Sequence, residues 1–418
     1  MAGYIEDRWL KKRPSLETGQ RERTTLYGVG KRYKVTGIPG VRAKSFERIG
    51  DAKAWKAKAE HEQGQGEFID PRHGAIRLDQ YIAEHWLPAR YGDPATARTV
   101  RSRINHIIEL LGAQPLNSIK VPQLRPFVVA LEKRLSPGTL HEVWGYLSAI
   151  FQAAVEDERI RRNPCKAKTV KLPPIPPRKV RPWSREQVMA VRSGMPERYR
   201  AAVDVAVGAG LRKSELFGLA MEDIDWDEHV IHVRRQVKKL GAQLAFALPK
   251  CQKTRSVPVP PALLESLRSH CEEFPPAKIT LPWGDTADPT TEREAEERAP
   301  QTFELIFTSS WGCAIRSDSW DRRAWKPALV TAGLIPPPEF TKRGKHTEPK
   351  FARAPENGTH VLRHTFASVQ LDAGEPIVAV SQWLGHADSS ITLKVYAHMM
   401  PEANGRGRAA MQAWFARP

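Results

Sequence analysis

Four polar side chains stand out in the stretch from Thr359 to Met400, THVLRHTFASVQLDAGEPIVAVSQWLGHADSSITLKVYAHMM. They are His360, Arg363, His386 and Tyr396, set among apolar residues at helical intervals. A packed helical pair needs the apolar residues, so the polar ones require another reason. His360 and Arg363 lie three apart, so one helix face presents both. Arg212, far upstream, opens a helix just after Gly208 and Gly210. Glycines before a helix let the backbone approach an anion closely. Two arginines on separate helices can hold the non-bridging oxygens of one phosphodiester by paired hydrogen bonds. Read alone, Arg212 can equally pair with Glu215 on the next turn. Tyr396 is the candidate nucleophile: a phenol ionises at about pH 10 and attacks only when a base and a cationic pocket activate it. A half-buried structural tyrosine is the commoner case for any one tyrosine. Together, these residue types point to phosphoryl transfer.

Elements must position these residues. Ser184 with Glu186 and Gln187 opens one helix, and Glu197–Gly208 forms the next, burying Ala201, Ala202, Val205 and Ala206. Val230–Val237 alternates as a strand, and Ala245–Leu248 and Ser256–Val259 supply two more around PKCQKTR at 249–255. A small antiparallel sheet carrying a basic hairpin is expected. Ser317–Gly333 reads as a helix with Trp320, Trp325 and Leu329 on one face. Residues 274–301, rich in Pro, Thr, Glu and Asp, read as an exposed inserted loop, and 335–357 as a mobile segment. The tail from Asn404 ends in a short apolar helix that can dock in cis or on a neighbouring subunit.

The clearest boundary is the stiff basic stretch KLPPIPPR at 171–178, within a linker at 169–178. Before it, 74–168 reads as a helical domain. Leu78, Tyr81, Ile82 and Trp86 mark its first helix, Thr96–Leu111 its second, and Val121–Leu135 its third. Ser136–Arg159 is the fourth, with Ser136 as cap and Pro137 at its first position. Residues 1–66 form an N-terminal domain of a three-stranded sheet plus one helix, best defined at 27–62. Its first 26 residues show no clear period. β-Type runs at Arg32–Val35 and Val41–Phe46 flank Gly37-Ile-Pro-Gly40, and a helix starts at Asp51. The fold class is multidomain, mainly α with small antiparallel sheets (α+β), with 179–418 a mixed α/β catalytic domain.

A net charge of +18 over 418 residues predicts a polyanionic partner, nucleic acid before an anionic membrane surface. No apolar run approaches the ~18 residues a bilayer span needs. The opening segment carries early acids and lacks the apolar centre of a secretory signal. Candidate DNA contacts are Lys31, Arg32, Lys34, Arg42 and Lys44 on the sheet, which could lie in a groove. Arg98, Arg101 and Arg103 add a helical set, although a solvated charged face explains either cluster by itself. The four cysteines, Cys165, Cys251, Cys271 and Cys313, form neither CxxC nor zinc spacing and read as reduced thiols. There is no Walker A loop, DxD pair or EF-hand, and Gly28-Val-Gly30 lacks the rest of a dinucleotide fingerprint. No metal or cofactor is expected.

GLRKSEL at 210–216, HVLRHT at 360–365, LGH at 384–386 and Tyr396 resemble, in order, the four boxes of the tyrosine recombinase (phage integrase) family. PKCQKTRSVP at 249–258 resembles the hairpin bearing that family's catalytic lysine, with Lys250 at the best-fitting position and Lys253 the alternative. The N-terminal domain resembles an arm-type-site-binding domain and the helical one a core-binding (SAM-like) domain. The resemblance implies a site-specific integrase from a phage or integrative element. Tyr396 would form a 3′-phosphotyrosyl link, with Arg212 and Arg363 neutralising the non-bridging oxygens. Lys250 would protonate the leaving 5′-oxygen, His360 accept the Tyr396 proton, and His386 bond a non-bridging oxygen. Glu215 would orient this cluster. Bond energy stays in the phosphotyrosine, so neither ATP nor metal is implied. Exchange of four strands through a Holliday junction implies a homotetramer on DNA. An excisionase and a host DNA-bending protein are implied partners, and the location is the bacterial cytoplasm, at the nucleoid. The long interval from Arg212 to His360 departs from compact members. Segments 274–301 and 335–357 account for it and are expected to project away from the site. A type IB topoisomerase-like relaxer shares this chemistry, but the N-terminal domain and the LGH box speak against it. A non-catalytic DNA-binding regulator is the reading from another class.

Overall fold

Residues 3–15, 18–64, 70, 72–89, 94–176, 181–284, 293, 296, 298–343, 346–396 and 406–416 are described by the computed structural model. They fall into two units, Met1–Pro176 and Pro177–Pro418. Helices predominate, and all the sheets of the described residues are small and antiparallel.

The first unit opens with β1 (Tyr4–Asp7), which pairs with β2 (Tyr33–Thr36), and β2 pairs in turn with β3 (Lys44–Phe46). The stretch that shows no period in sequence thus supplies an edge strand. YIED has one aliphatic side chain, and its partner lies far along the chain, so no local pattern marks it. Helix α1 (Ile49–Gly64) closes a small core of Val35, Ile38, Val41, Ala52 and Ala59. A separate, larger core lies among the helices that follow. Of these, α2 (Leu78–Tyr81) runs on into a π turn at Ile82–Trp86, and α3 spans Pro94–Leu111. Helix α4 spans Val121–Glu132 and α5 spans Pro137–Glu156. Ser136 caps α5, its side chain accepting from the Thr139 N–H. The buried Tyr81 hydroxyl donates to Asp157 at 2.5 Å, and Arg161 donates to Glu62 at the end of α1.

In the second unit, α6 (Arg185–Gly194) starts on the Ser184/Gln187 capping box, followed by α7 (Arg200–Gly208) and the short α8 (Lys213–Leu216). The expected single sheet is in fact two. β4 (Ile224–Asp225), β5 (Val230–Val233) and, further on, β8 (Arg255–Pro258) form one. β6 (Gln236–Leu240) and β7 (Gln243–Ala247) form the other. The run Val230–Val237 breaks because Arg235 turns inward, where it pairs with the buried Asp223 at 2.5 Å. The basic segment 249–255 therefore crosses between sheets and is not the tip of a hairpin.

Helix α9 (Pro261–Glu273) follows. The segment expected as a loop at 274–301 is bounded by paired strands, β9 (Ala277–Leu281) and β10 (Gln301–Leu305). Phe303 packs edge-on against Phe246 of β7, which gives these strands an apolar reason to form. Residues 285–292 lie outside the described residues, as does the expectation that they project away. Helix α10 (Ser317–Trp320), a π turn and α11 (Lys326–Thr331) carry Trp320, Trp325 and Leu329 into the core. The segment expected to be mobile contains a second hairpin, β11 (Glu339–Arg343) with β12 (His346–Lys350). The last helices are α12 (His360–Asp372), α13 (Ile377–Leu384), α14 (Ser389–Tyr396) and α15 (Arg406–Phe415). Met411, Trp414 and Phe415 on α15 are exposed.

Candidate active site

Helix α12 is the central element. It is pinned by Thr365, whose hydroxyl accepts from the Trp183 backbone N–H at 2.9 Å. Arg363, only 1% exposed, donates to the Gly210 carbonyl at 2.8 Å and to the Leu384 carbonyl. One guanidinium thus ties the backbone leading into α8 to the end of α13. Gly210 is suited to its place: its φ is +62°, and a Cβ there would lie 2.5 Å from the Phe366 ring of α12. Gly385 ends α13 in the left-handed conformation, as a helix C-terminus favours. Its carbonyl faces Arg212 Nη2 at 3.4 Å. His386 comes next, its Nδ1 2.7 Å from the Thr392 hydroxyl of α14.

Glu215 organises the other side. Its buried carboxylate accepts from the Arg212 N–H at 2.9 Å and from Arg212 Nη1 at 2.7 Å. It also accepts from Arg255 at 2.6 and 3.1 Å. Arg255 Nε donates to the Trp383 carbonyl at 2.5 Å. The Arg212–Glu215 pair weighed from sequence is therefore present, yet the Arg212 side chain keeps 20% of its surface in solvent. A phosphate can reach it while Glu215 holds its other edge. Burial raises the Glu215 carboxyl, but the hydrogen bond and charge of Arg255, with Arg212, outweigh it and hold the group down at about 2. Burial, then the Arg212 charge, pushes Arg363 down to about 9, so it remains cationic at neutrality.

Tyr396 is 1% exposed, and its hydroxyl lies 2.6 Å from Nδ1 of His364. His360, the acceptor the resemblance implies, instead sets its ring edge-on to His364 at 4.6 Å. Burial drives His360 and His386 each down to about 4, assisted by neighbouring positive charge. Sequence reasoning missed His364 and Arg255. The signal for His364 was there, in the second histidine of HVLRHT, one turn after His360.

Other residues stay apart from this cluster. Lys250 and Lys253 are exposed on the crossing segment, and among the described residues neither bonds to the cluster. On the N-terminal sheet, Arg32 is clamped by Asp7 at 2.9 Å, whereas Lys31, Arg42 and Lys44 are exposed and Lys34 is half-buried. Arg98 and Arg101 are exposed on α3, and Arg103 pairs with Glu142 at 2.8 Å. Among the described residues no group of His, Cys, Asp and Glu converges as a metal site. No described helix is long and apolar enough to cross a membrane.

Arg212 and Arg255 knit to the buried Glu215, Arg363 bonded to two backbone carbonyls, and His364 against the Tyr396 hydroxyl bring together the residue types that phosphoryl transfer to a tyrosine needs. The comparisons agree with that chemistry. Residues 79–169 match the family model for the phage integrase central domain, and 184–278 with 339–402 match that for the phage integrase family. The chain belongs to the tyrosine recombinase (phage integrase) family. It is 26% identical over 316 residues to a XerC-like tyrosine recombinase of Caldanaerobacter subterraneus subsp. tengcongensis, covering 70% of this chain and 71% of that one. It is 25% identical over 379 residues to a putative prophage phiRv2 integrase of Mycobacterium tuberculosis, covering 88% and 87%. In fold it resembles the Tn1549 transposon integrase bound to transposon right-end DNA, at TM-score 0.61 and 21% identity over 82% of this chain and all of the other. It also resembles a lambda integrase tetramer bound to a Holliday junction, at TM-score 0.53 and 15% identity over 86% and 94%.

Proposed function

We propose that this chain is a site-specific DNA recombinase that integrates a phage or integrative element, cutting and rejoining strands through a 3′-phosphotyrosyl intermediate and a Holliday junction. The observation that carries the reading is the bonding of Arg363 to the carbonyls of Gly210 and Leu384. That contact gathers the Arg212, Arg363 and His386 segments around one point, and Tyr396 joins them through α12. In the proposed reaction Tyr396 attacks phosphorus in line. Arg212 and Arg363 stabilise the charge that grows on the non-bridging oxygens, with donors already oriented by Glu215 and the backbone. His360 and His386 bond the same oxygens. Lys250, with Lys253 as the alternative, swings in from its exposed segment and protonates the departing 5′-oxygen.

The first unit is read as two DNA-binding parts, an arm-type domain in 1–66 and a core-binding domain in 74–168. Lys31, Arg32, Lys34, Arg42 and Lys44 serve the first, and Arg98, Arg101 and Arg103 the second. The linker is 169–178 and the catalytic domain 179–418. The working assembly is a homotetramer on paired attachment sites in the bacterial cytoplasm, aided by an excisionase and a host DNA-bending protein. Neither a topoisomerase-like relaxer nor a non-catalytic regulator is favoured by the relatives, which are named integrases and recombinases. Replacing Tyr396→Phe tests the reading. The variant should bind DNA and form no covalent adduct; an adduct, or recombination of paired sites, removes Tyr396 as the nucleophile.

A further inference from the structure

We propose that His364, directly after Arg363, takes the proton from Tyr396 as the phenol oxygen attacks phosphorus. The inference rests on Tyr396 being the nucleophile and adds a residue to that reaction. Its basis is contact: Nδ1 of His364 lies 2.6 Å from the Tyr396 hydroxyl, within a pocket that leaves Tyr396 almost wholly buried. The imidazole is held on both sides. The His360 ring sits edge-on to it at 4.6 Å, and the Tyr396 ring lies at 5.7 Å, tilted by 58°. His360 and His364 are four residues apart on α12, so the same helix face presents both. This leaves His360 for the phosphate and His364 for the phenol.

For Nδ1 to accept, the ring must be neutral with its proton on Nε2. Burial, then the Arg363 charge, pushes His364 down to about 4, so it is neutral near pH 7. Burial pushes the Tyr396 phenol up to about 12, against the lowering effect of Arg363. In the free protein the proton therefore stays on the phenol and the nucleophile is disarmed. A phosphodiester beside Arg363 brings negative charge that offsets the repulsion disfavouring an imidazolium. His364 thus becomes more basic when DNA occupies the site. The ionisable groups around it are Arg363 and His360 on α12, His386 beyond α13, and Tyr396 on α14. Helix α13 itself carries none, and Asp204 on the adjacent α7 is paired with Arg192. In the step, the bond from the Tyr396 oxygen to phosphorus forms as the bond to the 5′-oxygen breaks. The phenol proton passes to His364 Nδ1, and the 5′-oxygen takes its proton from Lys250. Rejoining by an incoming 5′-hydroxyl runs these transfers backwards.

The test uses the full chain and a nicked suicide duplex whose core sequence the wild-type protein has selected from a randomised pool. His364→Asn keeps a hydrogen-bonding atom near the Nδ1 position but cannot take a proton. It should bind the duplex as tightly as wild type and form the phosphotyrosyl adduct about 10²–10⁴-fold more slowly in single turnover. The defect should persist when the 5′-bridging oxygen is replaced by sulfur, which departs without an acid, whereas a Lys250→Ala defect should vanish there. Wild-type rates for His364→Asn on both substrates overturn the proposal. So does rescue of His364→Asn by sulfur, which would place His364 at the leaving group. If the Asn variant does not fold, His364→Asp, which restores a proton acceptor at the same position, is compared with His364→Ala. A rate recovered by Asp supports the proposal, and no recovery overturns it. Adduct formation by Tyr396→Phe would remove the underlying nucleophile reading. An inactive Tyr396→Phe beside a fully active His364→Asn would remove only this inference.

Discussion

Replacing Arg255→Met should cost the second unit about 3–5 kcal/mol, the scale for stranding one partner of a buried ion pair. The structure fixes where that cost arises. Glu215 is fully enclosed and Arg255 nearly so, with two charge-assisted bonds between them and a third from Arg255 to the Trp383 carbonyl. Methionine fills most of the volume and supplies no donor. Glu215 then keeps only Arg212, which faces solvent on one side, and the Trp383 carbonyl loses its partner, worth about 1 kcal/mol. Urea unfolding of the full chain by circular dichroism should show an earlier midpoint for the transition of the second unit. A double-mutant cycle with Glu215→Gln should return a coupling of several kcal/mol, because the pair shares one network. The pH dependence follows with a definite sign. A carboxyl held below its ordinary 4.5 contributes stability that is full above that value and is lost as pH falls toward about 2. Without Arg255 the carboxyl rises, so acid unfolding should begin at higher pH. A destabilisation below about 1 kcal/mol, typical of an exposed pair, or strict additivity with Glu215→Gln, would refute this reasoning.

Gly210→Ala should destabilise by at least about 2 kcal/mol, from the positive φ and the collision with Phe366, read by thermal melting. It should also slow adduct formation, because the Gly210 carbonyl holds Arg363. DNA affinity should fall by roughly 10³-fold between ~50 and ~200 mM salt if six or more phosphates are contacted, measured by titration at each salt. Lys250→Ala should slow cleavage of an ordinary phosphodiester far more than Lys253→Ala does; equal defects would leave the two lysines undistinguished.

The residues that could be read from sequence were those whose surroundings are local. Arg212, His360, Arg363 and His386 each sit in a short signature, and Tyr396 follows His386 by ten residues in the chain. Helix ends announced by Ser136 and Ser184 were legible for the same reason, since a cap is decided within one turn. What escaped depends on distant partners. Arg255 meets Glu215 across 40 residues and Trp383 across 128, and nothing in RSVP marks its side chain as inward. β1 exists because β2 is there to bond it. The split of the sheet follows from one buried contact, Arg235 with Asp223, which alternation cannot reveal. Composition misled at β9–β10 and β11–β12, where polar and proline-rich stretches hide pairs of strands.

The clasp of Arg363 on two carbonyls has an evolutionary consequence. A side chain that helps to hold the domain shut cannot be discarded when chemistry is no longer selected. As an integrated element decays, its enzyme should therefore lose function unevenly. Lys250, exposed and unattached to the cluster, is free to drift early. Arg363, Arg255 and Glu215 are retained for as long as the fold is. A remnant with an intact arginine network is thus weak evidence of living activity, and, on the role proposed for Lys250, the identity of its exposed lysine is the better gauge.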